Sequence, residues 1–196
     1  MIETYRLSHN GGQDKYCDDV LVRVGKVLWL VVVQGSKEIT ATRIFADAFQ
    51  KVFATCADDS AFTDLCEKYE KLVPHIFDYM IMKVSDSELS VFRHGSVKGY
   101  LVRNGEIKLL PNGTISANDE DRILVATQTL YEKITPEGIL ADGLMATNCE
   151  EWMNYMLYRV SSLDMLSGPN LTAVTIMDRF DEAMKLYTIS SKKIEE

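Results

Sequence analysis

The strongest constraint on this chain is a run of β-branched and large apolar residues, VLWLVVV at 27–33. A second such run, at 20–24, precedes it across Gly25-Lys26. Runs of this kind match buried strands, and a two-residue link containing Gly signals a hairpin between them. Seven residues fall far short of the roughly 20 that cross a bilayer, so the run belongs in a protein core.

The apolar period then changes. Ala41, Ile44, Phe45, Ala48, Phe49, Val52 and Phe53 recur at spacings of three and four, which is one stripe of an amphipathic helix. Phe62, Leu65, Cys66, Tyr69, Leu72, Val73, Ile76, Phe77 and Met80 repeat the pattern, with Pro74 expected to kink or split that helix. Strands return at 79–84, 88–93 and 99–103. Asn104-Gly105, the strongest hairpin signal in the chain, then leads into 106–110. Residues 122–127 read as a buried strand. Asn148, with Glu151 three residues on, resembles a capping box, and Cys149, Trp152, Met153, Met156, Val160 and Leu163 form a third stripe. LTAVTIMDRF and EAMKLYTIS read as a closing hairpin. Segregated strands and helices, mostly joined by hairpins, indicate an α+β fold with antiparallel sheets. A sheet pair covered by helices on both outer faces would bury all three stripes. No linker or repeat divides the 196 residues, so one domain over 1–196 is expected.

With 29 acidic against 21 basic side chains the net charge is −8, which argues against nucleic acid as the main partner. Only 11 Gly and 4 Pro in a chain 46% hydrophobic exclude low complexity and general disorder. The start MIETYRLSHN lacks a basic-then-apolar leader, and Cys17, Cys56, Cys66 and Cys149 form no CxxC pair. A cytoplasmic setting without a membrane partner follows as the expectation.

Chemistry-bearing motifs are few. There is no P-loop, GxGxxG, GxSxG or HExxH. His9, His75 and His94 lie far apart. Asp14, Asp18 and Asp19 form an acidic cluster near the first hairpin. Such carboxylates either hold Mg²⁺ or Mn²⁺, which prefer oxygen ligands, or make a solvated turn. Asp142-Gly143 is expected to turn the chain.

Taken in order, five segments carry a resemblance: HNGGQDKYCDDVLVRVGKVLWLVVV, QGSKEITATRIFADAF, LSVFRHGSVKGYLVRNGEIKLL, DRILVATQTLYEKITPEG and GPNLTAVTIM. Together the chain resembles the PPM (metal-dependent type 2C) serine/threonine phosphatases, nearest to their short stage II sporulation E-like branch. About ten residues between Leu110 and Asp121 leave no room for the flap of the longer members. The resemblance implies an αββα sandwich with a two-metal centre at one end, where Mg²⁺ or Mn²⁺ activates water against a phosphoserine or phosphothreonine.

Carried over residue by residue, that centre is depleted. Asp14 matches the first acidic position, with Asp18 a second candidate ligand. Gln34 stands for the Asp of the strand-end Asp-Gly, and Gly35 matches its Gly. Gln128 stands for the Asp of the S/T-D-G block, and Pro169 for the Asp preceding Asn170. Ser96 occupies the central turn where longer members have an Asp, and His9 lies nearest the place of a phosphate-gripping Arg. Two divalent ions about 4 Å apart repel by four unit-charge products, each about 4 kcal/mol at an effective dielectric of about 20. Gln offers oxygen without charge, and Pro offers no side-chain ligand. The resemblance therefore implies a pseudophosphatase: a signalling module with no cofactor that binds a phosphoprotein, an acidic loop or a regulatory subunit. The alternatives are a phosphatase with altered Mn or Mg use, through Asp14, Asp18, Asp19 and Gln34, or an unrelated fold with accidental resemblance.

Overall fold

The computed structural model describes residues 2–24, 27–35, 77–162 and 169–178, with scattered helical positions between 43 and 71. Its strands are β1 (Ile2–His9), β2 (Asp19–Arg23), β3 (Leu28–Gly35), β4 (Phe77–Val84), β5 (Glu88–His94), β6 (Lys98–Arg103), β7 (Glu106–Leu109), β8 (Gly113–Ser116), β9 (Arg122–Ala126) and β10 (Leu171–Asp178). Three helices, α1 (Gln128–Tyr131), α2 (Pro136–Met145) and α3 (Cys149–Ser162), fall between β9 and β10. One five-stranded sheet runs β1-β10-β9-β6-β7 and the other β2-β3-β4-β5-β8. Every neighbouring pair is antiparallel.

Alternation along the strands decides what lies between the layers. Leu28, Leu30 and Val32 of β3 face the inter-sheet core together with Met80, Met82, Leu89, Val91, Leu101, Ile123, Val125, Val174 and Ile176. Trp29, Val31 and Val33, on the other face of β3, are also buried. A strand covered on both faces reads as an unbroken apolar run, which is why 27–33 shows no alternation. Leu124 and Ala126 turn to the outer side of the first sheet, where Leu130, Ile139, Trp152, Met153, Met156 and Val160 of the helices cover them. The architecture is thus α+β, with two stacked antiparallel sheets and helices packed outside. This excludes the reading in which the resemblance was accidental to another fold.

Local signals account for several elements. Asn104 and Gly105 have φ of 53° and 74°, the left-handed pair a two-residue hairpin needs. At α3, Asn148 Oδ1 accepts the Glu151 amide at 2.8 Å, and the Glu151 carboxylate accepts from the Thr147 amide at 2.8 Å. The expected stripe from Cys149 to Val160 is fully buried.

Other expectations are corrected. Asp142-Gly143 does not turn the chain: both residues lie inside α2, which Thr135 opens by accepting the Gly138 amide ahead of Pro136. Asp142 is buried against Arg159, whose Nη2 lies 2.6 Å from Oδ1. A Cβ on Gly143 would stand 3.0 Å from Trp152 Cε2, so the bare glycine is what admits the indole. Arg122 Nη1 closes the helix by donating to the carbonyls of Gly143 and Ala146. Phe77 and Met80, assigned to the second helical stripe, belong to β4. Strands β1 and β8, not foreseen, pair with β10 and β5. Ile44, expected on a buried stripe, is 55% exposed. Ala48, on the same stripe, is helical and partly buried, while the other stripe residues at 41–76, the Gly25-Lys26 turn, Pro74, His75, Cys56, Cys66, Leu163 and the strand expected after β10 lie outside the described residues. Among the described residues, no helix is long and apolar enough to cross a membrane.

The register gathers chemically interesting strand ends. In one sheet Gly35 faces Phe77, and His94 faces Tyr79. In the other, His9 faces Leu171, and Ala126 faces both Ala173 and Lys98. The ends of β1, β3, β5 and β9 therefore share one edge of the sandwich with the beginnings of β2, β4, β6 and β10.

The packing of Trp152 on Gly143 is open to test. Gly143→Val should destabilise the fold by about 1–3 kcal/mol, because the fully buried indole has no room to retreat. Urea unfolding of wild type and variant measures this, and equal stability would refute the packing argument.

Candidate functional site

At the gathered end, polar groups emerge where the apolar runs stop, and each must find a partner. Gln34, the first polar residue after the apolar core of β3, extends across to the other sheet. Its Oε1 accepts the backbone amide of Gln128 at 2.7 Å. Gln128 opens α1 directly after β9, and its own side-chain amide donates to Glu132. Beside it, Thr127 Oγ1 accepts the Thr172 amide at 3.0 Å, and the Thr127 amide donates to the Thr172 carbonyl at 2.9 Å.

Asp78 stands opposite Gln34 on β4. It holds the turn between β5 and β6, accepting at Oδ2 from the Ser96 amide at 2.9 Å and from the Ser96 hydroxyl. Gly95 in that turn has φ +75°, and a Cβ there would lie 1.9 Å from Asp78 Oδ1, so only glycine fits. From α1, the Tyr131 hydroxyl donates to the Ser96 carbonyl, while Lys98 Nζ sits 4.7 Å from the Tyr131 ring centroid. Burial pushes the Tyr131 hydroxyl above its ordinary value, which keeps it a donor.

Residues 10–18 form the third wall. Asn170 anchors them: Oδ1 accepts the Cys17 amide at 2.8 Å, and Nδ2 donates to the carbonyls of Asn10 at 3.0 Å and Lys15 at 3.3 Å. His9 Nδ1 accepts the Gly11 amide at 2.9 Å, so the imidazole orders this loop. Asp14 is exposed at the loop surface, as is Pro169 next to Asn170.

Asp18 behaves differently from Asp14. It is 6% exposed. Oδ1 accepts the Gly35 amide at 3.2 Å, and Oδ2 accepts the Thr172 hydroxyl at 2.8 Å. The Tyr16 hydroxyl meets the same Thr172 oxygen. Burial pushes the Asp18 carboxyl up from 3.8 to about 6, against the opposing hydrogen bonds from Thr172, the Gly35 amide and Thr127.

The structure thus brings Gln34, Gly35, Ser96, Gln128 and Asn170 to one end. It links Gln34 to Gln128, and Gly35 to Asp18 rather than to Asp14. Sequence reasoning missed Asp78, Thr127 and Thr172. Asp78 carries no motif, and only the β3–β4 register reveals it. Among the described residues, no three His, Cys, Asp or Glu side chains lie close enough together to hold a metal ion.

Two stacked antiparallel sheets, helices outside and a polar cluster at one end define a phosphatase-like sandwich. The fold is that of the PPM serine/threonine phosphatases. A serine/threonine phosphatase of S. agalactiae superposes with a TM-score of 0.75 at 11% identity, covering 91% of this chain and 100% of that one. RsbX, in complex with magnesium, gives 0.71 at 16% identity over 89% and 94% of the two chains. PppA of Pseudomonas aeruginosa, a key regulatory component there, gives 0.68 at 9% identity over 91% and 98%. No family model matches the sequence, and no curated protein matches it.

The Asp18 environment has a pH signature. Between about pH 4 and pH 6 the folded chain keeps a proton that the unfolded chain has released. Stability contributed by this group therefore falls as pH rises through that window and is level above it. Two pH units correspond to at most about 3 kcal/mol. Asp18→Asn keeps an acceptor for Gly35 and presents an amide to Thr172. The wild-type-minus-variant stability difference should fall from about pH 4 to about pH 6 and stay level above, and the variant should melt higher at neutral pH. A difference independent of pH from 4 to 6 would show that Asp18 titrates normally.

Proposed function

We propose that the chain is a PPM-phosphatase-like regulatory module without phosphatase chemistry, a single such unit over 1–196, acting in cytoplasmic signalling by holding a protein partner. The observation that carries this reading is the hydrogen bond from the Gln128 amide to Gln34 Oε1. At the strand end where the resembled family places an aspartate, this chain has a neutral oxygen already occupied by a backbone donor.

The donor set is a poor fit to a pair of divalent cations. Among the described residues at this end, Asp18 and Asp78 are committed to N–H and O–H donors of the chain itself, Glu132 accepts from the Gln128 side chain, Asp19 accepts the Val20 amide, and Asp14 is exposed on the loop. Gln34 and Gln128 add no charge to offset the mutual repulsion of two dications. Pro169 adds no ligand. Without such a pair there is no metal-activated water, and no other nucleophile–base arrangement takes its place in this reading. Fold outlives chemistry readily, because the core needs only its strands and stripes.

Around the polar cluster, Gly12, Gln13, Asp14, Lys15, Gly95, Gln128 and Pro169 are exposed. They offer a partner a surface at the place where the resembled enzymes act. A phosphoprotein or a regulatory subunit suits this reading, and the regulatory role stated for PppA lends it support.

The test is manganese-dependent hydrolysis of p-nitrophenyl phosphate, with calorimetric titration of Mn²⁺. No turnover above background, with binding no tighter than millimolar, is the expected result. Micromolar binding with turnover abolished by Asp14→Ala or Asp18→Ala would overturn the proposal. It would make the chain a metal-dependent serine/threonine phosphatase with an altered ligand set.

A further inference from the structure

We propose that Gln34, Asp18 and Asn170 form a metal-free clasp that fastens the two sheets together at this end of the sandwich. The inference rests on the reading above, in which no cation pair occupies the end, and asks what holds it shut instead.

Each of the three contacts joins a strand of one sheet, or the residues next to it, to a strand of the other or the residues next to it. Gln34 lies near the end of β3 in one sheet, and Gln128 follows β9 in the other. Asp18 leads into β2, and Thr172 lies in β10. Asn170 enters β10, and Cys17 precedes β2. The partners are 94, 154 and 153 residues apart in sequence, so none of the contacts is a local turn. All three are polar, and they begin where the inter-sheet apolar contacts end. Thr127 and Thr172, between them, have 0% exposure, so the clasp closes over groups that solvent does not satisfy.

Geometry makes Gln34 the critical member. The acceptor is its side-chain oxygen, whereas Gln128 contributes its backbone amide, which no substitution at 128 other than proline removes. The length of the Gln side chain sets the 2.7 Å reach. Asn is one methylene shorter and should fail to span the gap, while Glu keeps both the length and an acceptor oxygen. A clasp of this kind works without divalent ions, so order at this end should be indifferent to chelators.

The experiment is amide hydrogen exchange by NMR on the full chain, read at Gln128 and Thr172, with thermal melts alongside. Wild type, Gln34→Asn and Gln34→Glu are compared, each with EDTA and with Mn²⁺. Gln34→Asn should speed exchange at Gln128 at least about tenfold. Gln34→Glu should retain protection, and neither EDTA nor Mn²⁺ should shift the wild-type protection or melting temperature. If Gln34→Asn leaves Gln128 exchange unchanged, the clasp is refuted while the non-catalytic reading stands. If Mn²⁺ raises the wild-type melting temperature and broadens the Gln34 and Gln128 resonances, the clasp is refuted along with the non-catalytic reading. Should Gln34→Asn fail to fold, folded Gln34→Glu reads the same contact, because its carboxyl keeps the reach and an acceptor oxygen: Gln128 should stay at least as protected as in wild type. Loss of Gln128 protection in folded Gln34→Glu refutes the clasp.

Discussion

Burial of β3 on both faces is the constraint from which the rest of the arrangement follows. Leu28, Leu30 and Val32 face the opposite sheet, and Trp29, Val31 and Val33 are buried behind them. Each fully buried side chain of this size contributes about 1.5–3 kcal/mol, so any shift of one residue would exchange the two faces and is costly. The register with β2 and β4 is thereby set, and with it the place where the apolar run must stop. Gln34 and Gly35 emerge there, opposite Asp78 and beside Asp18. The polar end is a consequence of where the apolar strand runs out.

The polar groups that meet there satisfy one another. Asp18 takes the Gly35 amide and the Thr172 hydroxyl, Asp78 takes the β5–β6 turn, and Gln34 takes the first amide of α1. An unpaired buried polar group costs about 1–3 kcal/mol, so this mutual pairing stabilises the end. The net charge of −8 is compatible with this. Among the described residues, Asp14, Asp86 and Glu88 are exposed, where charge serves solubility, while one that is buried, Asp18, is held nearer neutrality by its surroundings.

Much of this was legible in the chain. The β-branched runs, the Asn104-Gly105 turn and the Cys149–Val160 stripe carry their structure locally, in period and turn chemistry. Segment order pointed to the sandwich and to Gln34, Gln128 and Asn170 as positions to watch. What could not be read depended on contacts distant in sequence. Asp142 sits in a helix because Arg159 pairs with it and because Gly143 admits Trp152, and neither partner is visible in the local pattern. Asp14 and Asp18 look equivalent in sequence, yet only the fold buries one and exposes the other. Asp78 becomes a site residue solely through its register with Gln34. The edge strands β1 and β8 carry no unbroken apolar run like that of β3, so neither stands out as a strand in the sequence.

The central claim is that this end of the sandwich is closed by the chain's own hydrogen bonds. A crystal structure of the protein soaked in Mn²⁺, with the anomalous signal of manganese mapped, tests it most directly. No anomalous peak is expected among Asp18, Gln34, Asp78 and Gln128, with the Gln128 amide still on Gln34 Oε1. Two peaks about 4 Å apart, with Gln34 turned away from Gln128 to face them, would contradict it.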